Sequence, residues 1–497
     1  VPEQLPLPYR VVRGWLRAVL LVFFRRVEVT GLEHVPAGGG GILVSWHPNG
    51  LVDPALVLGT FPRQVVFGAR HGLFSWPGLG WLLRRVGTVP IYRAVDAKAG
   101  ADAADQARRE ANARSLDALA ERVARGSFSS LFPEGESHDA PHPVELKAGA
   151  ARLYLRAREL QREGEPPPVI IPVGLHYERK DVFRSSALVA FHPPLQLPPG
   201  VEAAPTADAE ATRERARALT AEVERVLHDV VLATEDWPMH HALHRGRTLM
   251  RAERAARAGR RPEAADMVEQ QLGFARVRQG YLERRRTDPE RVAELRRRVE
   301  WYDEDLRTLG LEDDELDRDP RLLSRWLGLI IVLQFLLVFL LLPPILFVGY
   351  LVNVPTLLLV WAIAWVASRK RKDEATVKIL VGALLFPLTW VGAGVLAAWG
   401  HHALHAQFPS IPDQPLLAGL VVGLLGAIGG AVAVRYRRVS WETARALRVR
   451  VTKRTRGEAV ARLLRERGVL HDAIAELAGG MTLPGVVASD GRIKPGA

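Results

Sequence analysis

A histidine followed six positions later by an aspartate, in Ser45-Trp46-His47-Pro48-Asn49-Gly50-Leu51-Val52-Asp53-Pro54, is the pair in this chain best suited to moving a proton. An imidazole titrates near neutral pH and accepts a proton from a hydroxyl, while a nearby carboxylate fixes its tautomer and stabilises the cation that forms. By residue type alone such a pair is far more often a structural or solvated histidine, so its meaning depends on what else reaches the same place.

Three other stretches carry groups of complementary chemistry. Gly87-Thr88-Val89-Pro90-Ile91-Tyr92-Arg93 ends on a guanidinium whose planar fork suits a phosphate. Phe132-Pro133-Glu134-Gly135-Glu136-Ser137-His138-Asp139 sets a carboxylate beside a glycine-containing turn, and Lys147-Ala148-Gly149 puts an ammonium at a helix start, where free backbone N–H groups also attract anions. The plain alternatives are a surface charge, an exposed turn carboxylate and a solvated lysine.

The elements around these stretches alternate short β-branched runs with helical ones, as in an α/β sheet. Strands are expected at Ile42-Leu43-Val44, Val65-Val66-Phe67, Val89-Pro90-Ile91-Tyr92, Ser129-Ser130-Leu131-Phe132, Val169-Ile170-Ile171-Pro172-Val173 and Leu188-Val189-Ala190-Phe191, with a long helix from about Ala101 to Arg125. Each chemical stretch then lies just past a strand end, where open α/β sheets bind their ligands. Val11 to Phe24, broken by Arg13 and Arg17, is too short an apolar run to span a bilayer and reads as an interfacial helix.

At 497 residues the chain exceeds one ordinary core. Its formal net charge of +12, with 67 Lys+Arg against 55 Asp+Glu, favours acidic partners such as phosphorylated substrates or anionic lipid. There is no zinc-finger spacing and no basic stripe interleaved with aromatics, so nucleic acid is not the expected partner. The complete lack of cysteine excludes disulfides, thiolate nucleophiles and Cys-ligated zinc. Histidines four apart in His240-His241-Ala242-Leu243-His244 and His401-His402-Ala403-Leu404-His405 have a metal-ligand spacing but no acidic partner among them, and no metal site is expected.

Beyond the Pro-rich turn Leu195 to Pro205 the sequence becomes densely charged and helix-forming, with Val292, Leu295, Val299, Tyr302 and Leu306 as one apolar stripe. From Trp326 onward it is apolar. Trp326 to Ala367, interrupted at Pro343-Pro344 and at Asn353-Val354-Pro355, suggests two crossings joined by a tight turn; Ile379 to Trp399 and Leu416 to Val434 suggest two more. Arg369-Lys370-Arg371-Lys372 and Arg435, Arg437 and Arg438 belong on one side, the cytoplasmic one by the positive-inside rule.

The order of these blocks resembles the glycerolipid acyltransferases that acylate glycerol phosphate or its lysophospholipid product: His47…Asp53, Gly87…Arg93, Phe132-Pro133-Glu134-Gly135, then Val169-Ile170-Ile171-Pro172. The resemblance covers about Arg26 to Leu195. The commonest loop of that family has one residue fewer between His and Asp, and its third block continues Thr-Arg-Ser where this chain has Glu136-Ser137-His138. Both features, and Leu232-Ala233-Thr234-Glu235-Asp236-Trp237, look like the branch acting on glycerol 3-phosphate or dihydroxyacetone phosphate. The resemblance implies direct acyl transfer from acyl-CoA or acyl carrier protein, without a cofactor. His47 would be the general base, Asp53 its orienter, and Arg93, Glu134 and Gly135 the acceptor site, with His138 or Lys147 replacing the missing Arg. The apolar segment Leu73 to Trp81 would dip into the membrane with the N-terminal helix.

The expected architecture is therefore an interfacial helix (1–26), an α/β acyltransferase domain of mixed sheet and flanking helices (27–198), a charged helical region (199–320), a transmembrane region of about four helices (321–435) and a cytoplasmic tail (436–497). The expected location is a bacterial inner membrane with the catalytic domain facing the cytoplasm. Two other readings stay open: acylation of lysophosphatidate or another lysophospholipid, and a membrane transport or scaffold module carrying an acyltransferase-like domain. The apolar spans hold no charged residue, which disfavours transport.

Overall fold

A computed structural model of the chain describes residues 5–495 except 76–77, 92–101, 203–207, 261–264, 318–324, 368–370 and 489–491. The chain forms two compact units, one of residues 1–240 with 370–376, the other of 241–369 with 377–497.

The first unit is built on a seven-stranded sheet. Its strands are β1 (Arg26–Thr30), β2 (Gly41–Val44), β3 (Val65–Arg70), β4 (Val89–Ile91), β5 (Phe128–Leu131), β6 (Val169–Tyr177) and β7 (Ser186–Phe191), in the spatial order β1-β7-β6-β2-β5-β3-β4. All neighbours are parallel except β6 and β7, which are antiparallel, so the sheet is mixed as expected. The edge strand β1 and the extension of β6 from Val173 to Tyr177 were not anticipated. In β6, Val169, Ile171, Val173, Leu175 and Tyr177 share one face by strand alternation.

Helices α1 (Leu7–Phe23), α2 (Val52–Thr60), α3 (Leu79–Arg85), α4 (Asp102–Ala124), α5 (Gly149–Glu159) and α6 (Ala209–Val230) flank the sheet. Strands β2 and β6, buried on both faces, read as near-continuous apolar runs for that reason. One core unites Ile42, Val44, Val66 and Ile170 with Leu119 and Val123 of α4, Leu153 and Tyr154 of α5, and Leu219, Val223 and Leu227 of α6. The core thus continues past residue 198. Helix α6 starts where the Asp208 carboxylate accepts the Glu210 N–H, meeting one of the donors that a helix start leaves unpaired.

Helix α1 is tied to the domain on one side only. Buried Tyr9 accepts the Val65 N–H at 3.0 Å, Arg17 donates to the Gly59 carbonyl, and Arg184 donates to Leu21 O at 3.0 Å near the helix end. Leu7, Val11, Trp15, Leu21 and Val22 are left exposed, as is Trp81 of α3.

The second unit is helical. It holds the greater part of α7 (Trp237–Arg257) and α12 (Arg371–Gln407), together with α8 (Met267–Thr287), α9 (Pro289–Leu309), α10 (Arg325–Leu336), α11 (Leu342–Ala367), α13 (Pro415–Thr455) and α14 (Gly457–Leu477). Helix α9 is framed by strong local signals. Asp288 accepts the Arg291 N–H, Pro289 occupies the first turn, and Gly310 ends the helix at φ 65°. Of its expected stripe, Val292, Val299, Tyr302 and Leu306 are buried and Leu295 is half-buried; Val299, Tyr302 and Leu306 join a core with Leu249, Met250, Val449, Val460, Leu463 and Leu470.

Among the described residues three helices, not four, are long and apolar enough to cross a membrane, through Gly349–Val366, Thr376–Gln407 and Pro415–Thr455. The expected tight turn forms at neither Pro343-Pro344 nor Asn353-Val354-Pro355, because α11 contains both. Ahead of it, α10 has only 12 residues and leads through a π turn, Leu337–Leu341, straight into α11. Close packing explains why Asn353 is tolerated. Its Nδ2 donates to Gly349 O and Gly426 O, both at 2.8 Å, and its Oδ1 accepts the Trp390 indole N–H at 2.9 Å. At Gly349 a Cβ would come within 2.8 Å of the Gly429 Cα, so the helices meet where neither carries a side chain.

Candidate active site

Strand β2 lies between β5 and β6 in the sheet, with Val44 paired to Leu131 on one side and to Pro172 on the other. The segments that leave β2 and β5 and the last residues of β6 therefore converge at one sheet edge. His47 follows β2, Glu134 follows β5 and Tyr177 ends β6.

Asp53 sits in the first turn of α2 and is fully buried. Its Oδ2 lies 2.8 Å from His47 Nδ1 and accepts the Asn49 N–H at 2.7 Å, while its Oδ1 accepts the Tyr177 hydroxyl. An ionised carboxylate only accepts, so the proton of neutral His47 sits on Nδ1 and Nε2 is left as the basic nitrogen. Nε2 has no hydrogen-bond partner among the described residues, and the His47 side chain retains 15% exposure. The ring stacks on Phe132, with centroids 4.3 Å apart and planes 17° from parallel.

Glu134 is turned inward, against the protein. Its side chain is buried and both oxygens are occupied. Oε2 accepts the His47 backbone N–H at 2.7 Å; Oε1 accepts from His138 Nε2 at 2.7 Å and from the Val144 N–H at 3.1 Å. Three hydrogen bonds to a charged acceptor, at roughly 1.5–3 kcal/mol each, are enough to offset a carboxylate desolvation cost of several kcal/mol. Each Glu134 oxygen thus accepts at least one protein N–H, and the carboxylate braces the His47 main chain. The His138 N–H in turn donates to the His47 carbonyl at 3.0 Å, so the His47 residue is held from both ends.

His138 is committed as well. The Ala140 N–H donates to its Nδ1 at 3.2 Å, which puts the ring proton on Nε2, facing Glu134. Lys147 is not committed in this way. Its backbone N–H donates to Pro133 O at 2.8 Å, but its exposed ammonium has no hydrogen bond or ion pair among the described residues. The ammonium lies over Gly135, where a Cβ would come within 2.7 Å of Nζ and φ is +76°, so the turn takes glycine on both counts. Arg93 lies outside the described residues.

Sequence reasoning missed several supports. Trp46 Nε1 donates to Leu175 O at 2.9 Å, Asn49 Nδ2 donates to Lys180 O at 2.9 Å, and Lys180 Nζ donates to Pro48 O at 2.9 Å and pairs with Asp139. The segment after α6 also reaches this edge. The Thr234 N–H donates to Pro141 O at 3.1 Å, Trp237 Nε1 donates to Asp139 O at 2.9 Å, and Val230, Val231 and Ala233 pack with Trp46. Only the alternation of β6 beyond Val173 carried a signal, since it puts Tyr177 on the face of Ile171 and Val173.

The histidine clusters have local roles. His401 Nε2 lies 2.8 Å from Pro412 O, His405 Nδ1 lies 2.6 Å from Ile411 O, and His402 faces Asp413, which fastens the α12–α13 loop. His240, His241 and His244 stand on α7. Among the described residues no group of three His, Asp or Glu side chains is arranged to hold a metal.

Residues 26–176 match the family model described as Acyltransferase. The chain is similar to glycerol-3-phosphate O-acyltransferase 1 of Saccharomyces cerevisiae, 25% identical over 56% of this chain and 36% of that protein. An uncharacterized acyltransferase of Schizosaccharomyces pombe is 38% identical over 16% of this chain and 11% of its own length, and glycerol-3-phosphate O-acyltransferase 2 of S. cerevisiae is 37% identical over 13% and 8%. The chain thus spans about a third or less of these relatives. Among solved structures, the 1-acyl-sn-glycerophosphate (LPA) acyltransferase PlsC of Thermotoga maritima is similar at 20% identity and a TM-score of 0.30, over 44% of this chain and 79% of that one. The residues that match the Acyltransferase model, 26–176, carry the His47–Asp53 pair at the edge of their sheet.

Proposed function

We propose that this protein transfers a fatty acyl group from a thioester donor, acyl-CoA or acyl carrier protein, to a hydroxyl of glycerol 3-phosphate or dihydroxyacetone phosphate. The observation that carries the reading is the His47–Asp53 pair, with Nδ1 tied to a buried carboxylate and Nε2 left without a partner among the described residues. Nε2 takes the proton as the acceptor oxygen attacks the thioester carbonyl, and Asp53 stabilises the imidazolium. The acyl group moves in one step to the acceptor, and the proton then passes to the leaving thiolate. The choice of acceptor is supported by the two yeast relatives named as glycerol-3-phosphate O-acyltransferases. Lys147, above the Gly135 turn, supplies a cation for the acceptor phosphate.

The same reading places the protein in a membrane. The three apolar helices and the exposed face of α1, with Arg10, Arg13 and Arg17 on the same helix, support it, and the basic clusters favour a cytoplasmic position for the domain.

The test offers glycerol 3-phosphate, dihydroxyacetone phosphate and lysophosphatidate side by side to the full chain in lipid, with acyl-CoA or acyl carrier protein as donor. Glycerol 3-phosphate is expected to be acylated with the highest kcat/KM, and His47→Ala to abolish turnover. Preference for lysophosphatidate would reassign the acceptor, and full activity of His47→Ala would overturn the mechanism.

A further inference from the structure

The last residue of β6 reaches a group that the proposed chemistry depends on. Tyr177 comes from a strand that neither His47 nor Asp53 belongs to, and it is 124 positions from Asp53 in sequence. Its phenol donates to Asp53 Oδ1, the oxygen that His47 does not use. With the Asn49 N–H on Oδ2, this gives the carboxylate three donors on two oxygens. A carboxylate held only by His47 and Asn49 would be free to turn about its Cβ–Cγ bond, and Nδ1 would lose its fixed partner. The phenol removes that freedom.

We propose that Tyr177 is a positioning residue of the acyl-transfer site, its hydroxyl locking the Asp53 carboxylate so that one oxygen serves His47 Nδ1. This inference rests on the function proposed above. Its surroundings suit the task. The Tyr177 ring lies against Phe24, centroids 6.0 Å apart, and β6 is anchored on both sides by β2 and β7. Burial first, and then the Asp53 charge, hold the phenol well above its ordinary titration range, so it remains an O–H donor wherever the enzyme works. The same strand end also supplies Leu175 O to Trp46, and the turn after it supplies Lys180 O to Asn49 and the Lys180 ammonium to Pro48 O. The catalytic loop is thus moulded on the end of β6, and Tyr177 is the contact within that mould that touches the dyad.

The experiment is Tyr177→Phe in the full chain, which keeps the ring and deletes the hydroxyl. Two readouts are taken: steady-state acyl transfer as a function of pH, and the rate of His47 carbethoxylation by diethylpyrocarbonate as a function of pH, read at the His47 peptide by mass spectrometry. Without the phenol the carboxylate is less neutralised and holds the His47 proton more tightly. The midpoint of the modification profile and the acid limb of kcat should therefore both move to higher pH, with kcat reduced about tenfold and KM for the acceptor unchanged. A merely structural tyrosine would lower the thermal midpoint and leave both pH profiles in place; that result, or unchanged kcat, overturns the proposal. If the wild-type chain acylates none of the three acceptors, the functional reading fails separately, while the carbethoxylation profile still decides whether Tyr177 governs the dyad.

Discussion

Glu134 Oε2 accepts the backbone N–H of His47 at 2.7 Å, so a side chain from the β5 segment holds the main chain of the residue that follows β2. Such a bond fixes the main chain of His47 without touching its ring. The remaining bonds of this buried carboxylate go to His138 and Val144, so it ties His47 to the segment after β5.

Replacing Glu134 by Gln puts an NH2 group where one of three N–H donors now finds an acceptor. At least one hydrogen bond is lost and two donors confront each other, at a cost of about 1–3 kcal/mol. Glu134→Gln should lower both the thermal midpoint and kcat, the latter by about tenfold or more, with little change in acceptor KM. A selective rise in KM at unchanged stability would mean that Glu134 meets the substrate after all.

Lys147 has the opposite signature. Its ammonium is exposed and without an ion partner among the described residues, so removing it costs the fold little. Lys147→Ala should leave the melting temperature within about 1 °C and raise the KM for the phosphorylated acceptor by about tenfold, the worth of one charge-assisted contact. Lys147→Arg should recover most of the loss. Equal KM values for the wild type and Lys147→Ala would move the phosphate site elsewhere.

Acid stability should depend on His176, in β6. Burial, and then the nearby His192, push its pKa from 6.5 down to about 3, and His192 is itself lowered by burial and by His34. The unfolded chain therefore protonates His176 near pH 6.5 while the folded chain does not until about pH 3. Its contribution is fully present above pH 6.5 and is lost as the pH falls through that window, about 2 kcal/mol between pH 7 and pH 5. Urea unfolding followed by tryptophan fluorescence in detergent should show this slope, and His176→Phe should flatten it. An identical slope in the variant would assign the acid sensitivity to other groups.

The membrane helices should resist a substitution that hydropathy alone would favour. Asn353→Leu makes α11 more apolar, yet it deletes bonds to Gly349 O, Gly426 O and Trp390 Nε1 and pushes a branched side chain against Gly430, which now lies about the Asn353 amide. Loss of stability by about 0.6–2 kcal/mol is expected, measured by resistance to SDS unfolding. A more stable Asn353→Leu variant would show that the polar cluster is not what joins α11 to α12 and α13.

Much was settled by local sequence. The apolar strand runs, the stripe of α9 and the block order His47…Asp53, Phe132-Pro133-Glu134-Gly135 and Val169 to Pro172 all rest on periodicity and short-range chemistry, which a linear reading sees. What sequence could not decide was which atoms meet. That β2 lies between β5 and β6 is a matter of strand order, and strand order alone brings Tyr177 to Asp53 and Glu134 to the His47 N–H. Glu134 and Lys147 looked alike as polar groups past a strand end. Burial separated them: the Glu134 carboxylate is surrounded by three N–H donors, whereas the Lys147 ammonium lies in solvent above a glycine turn. The membrane helices follow the same division: apolar length is written in composition, but whether Asn353-Val354-Pro355 turns the chain or stays helical depended on Gly426 and Trp390, distant residues that supply the partners Asn353 needs inside a helix.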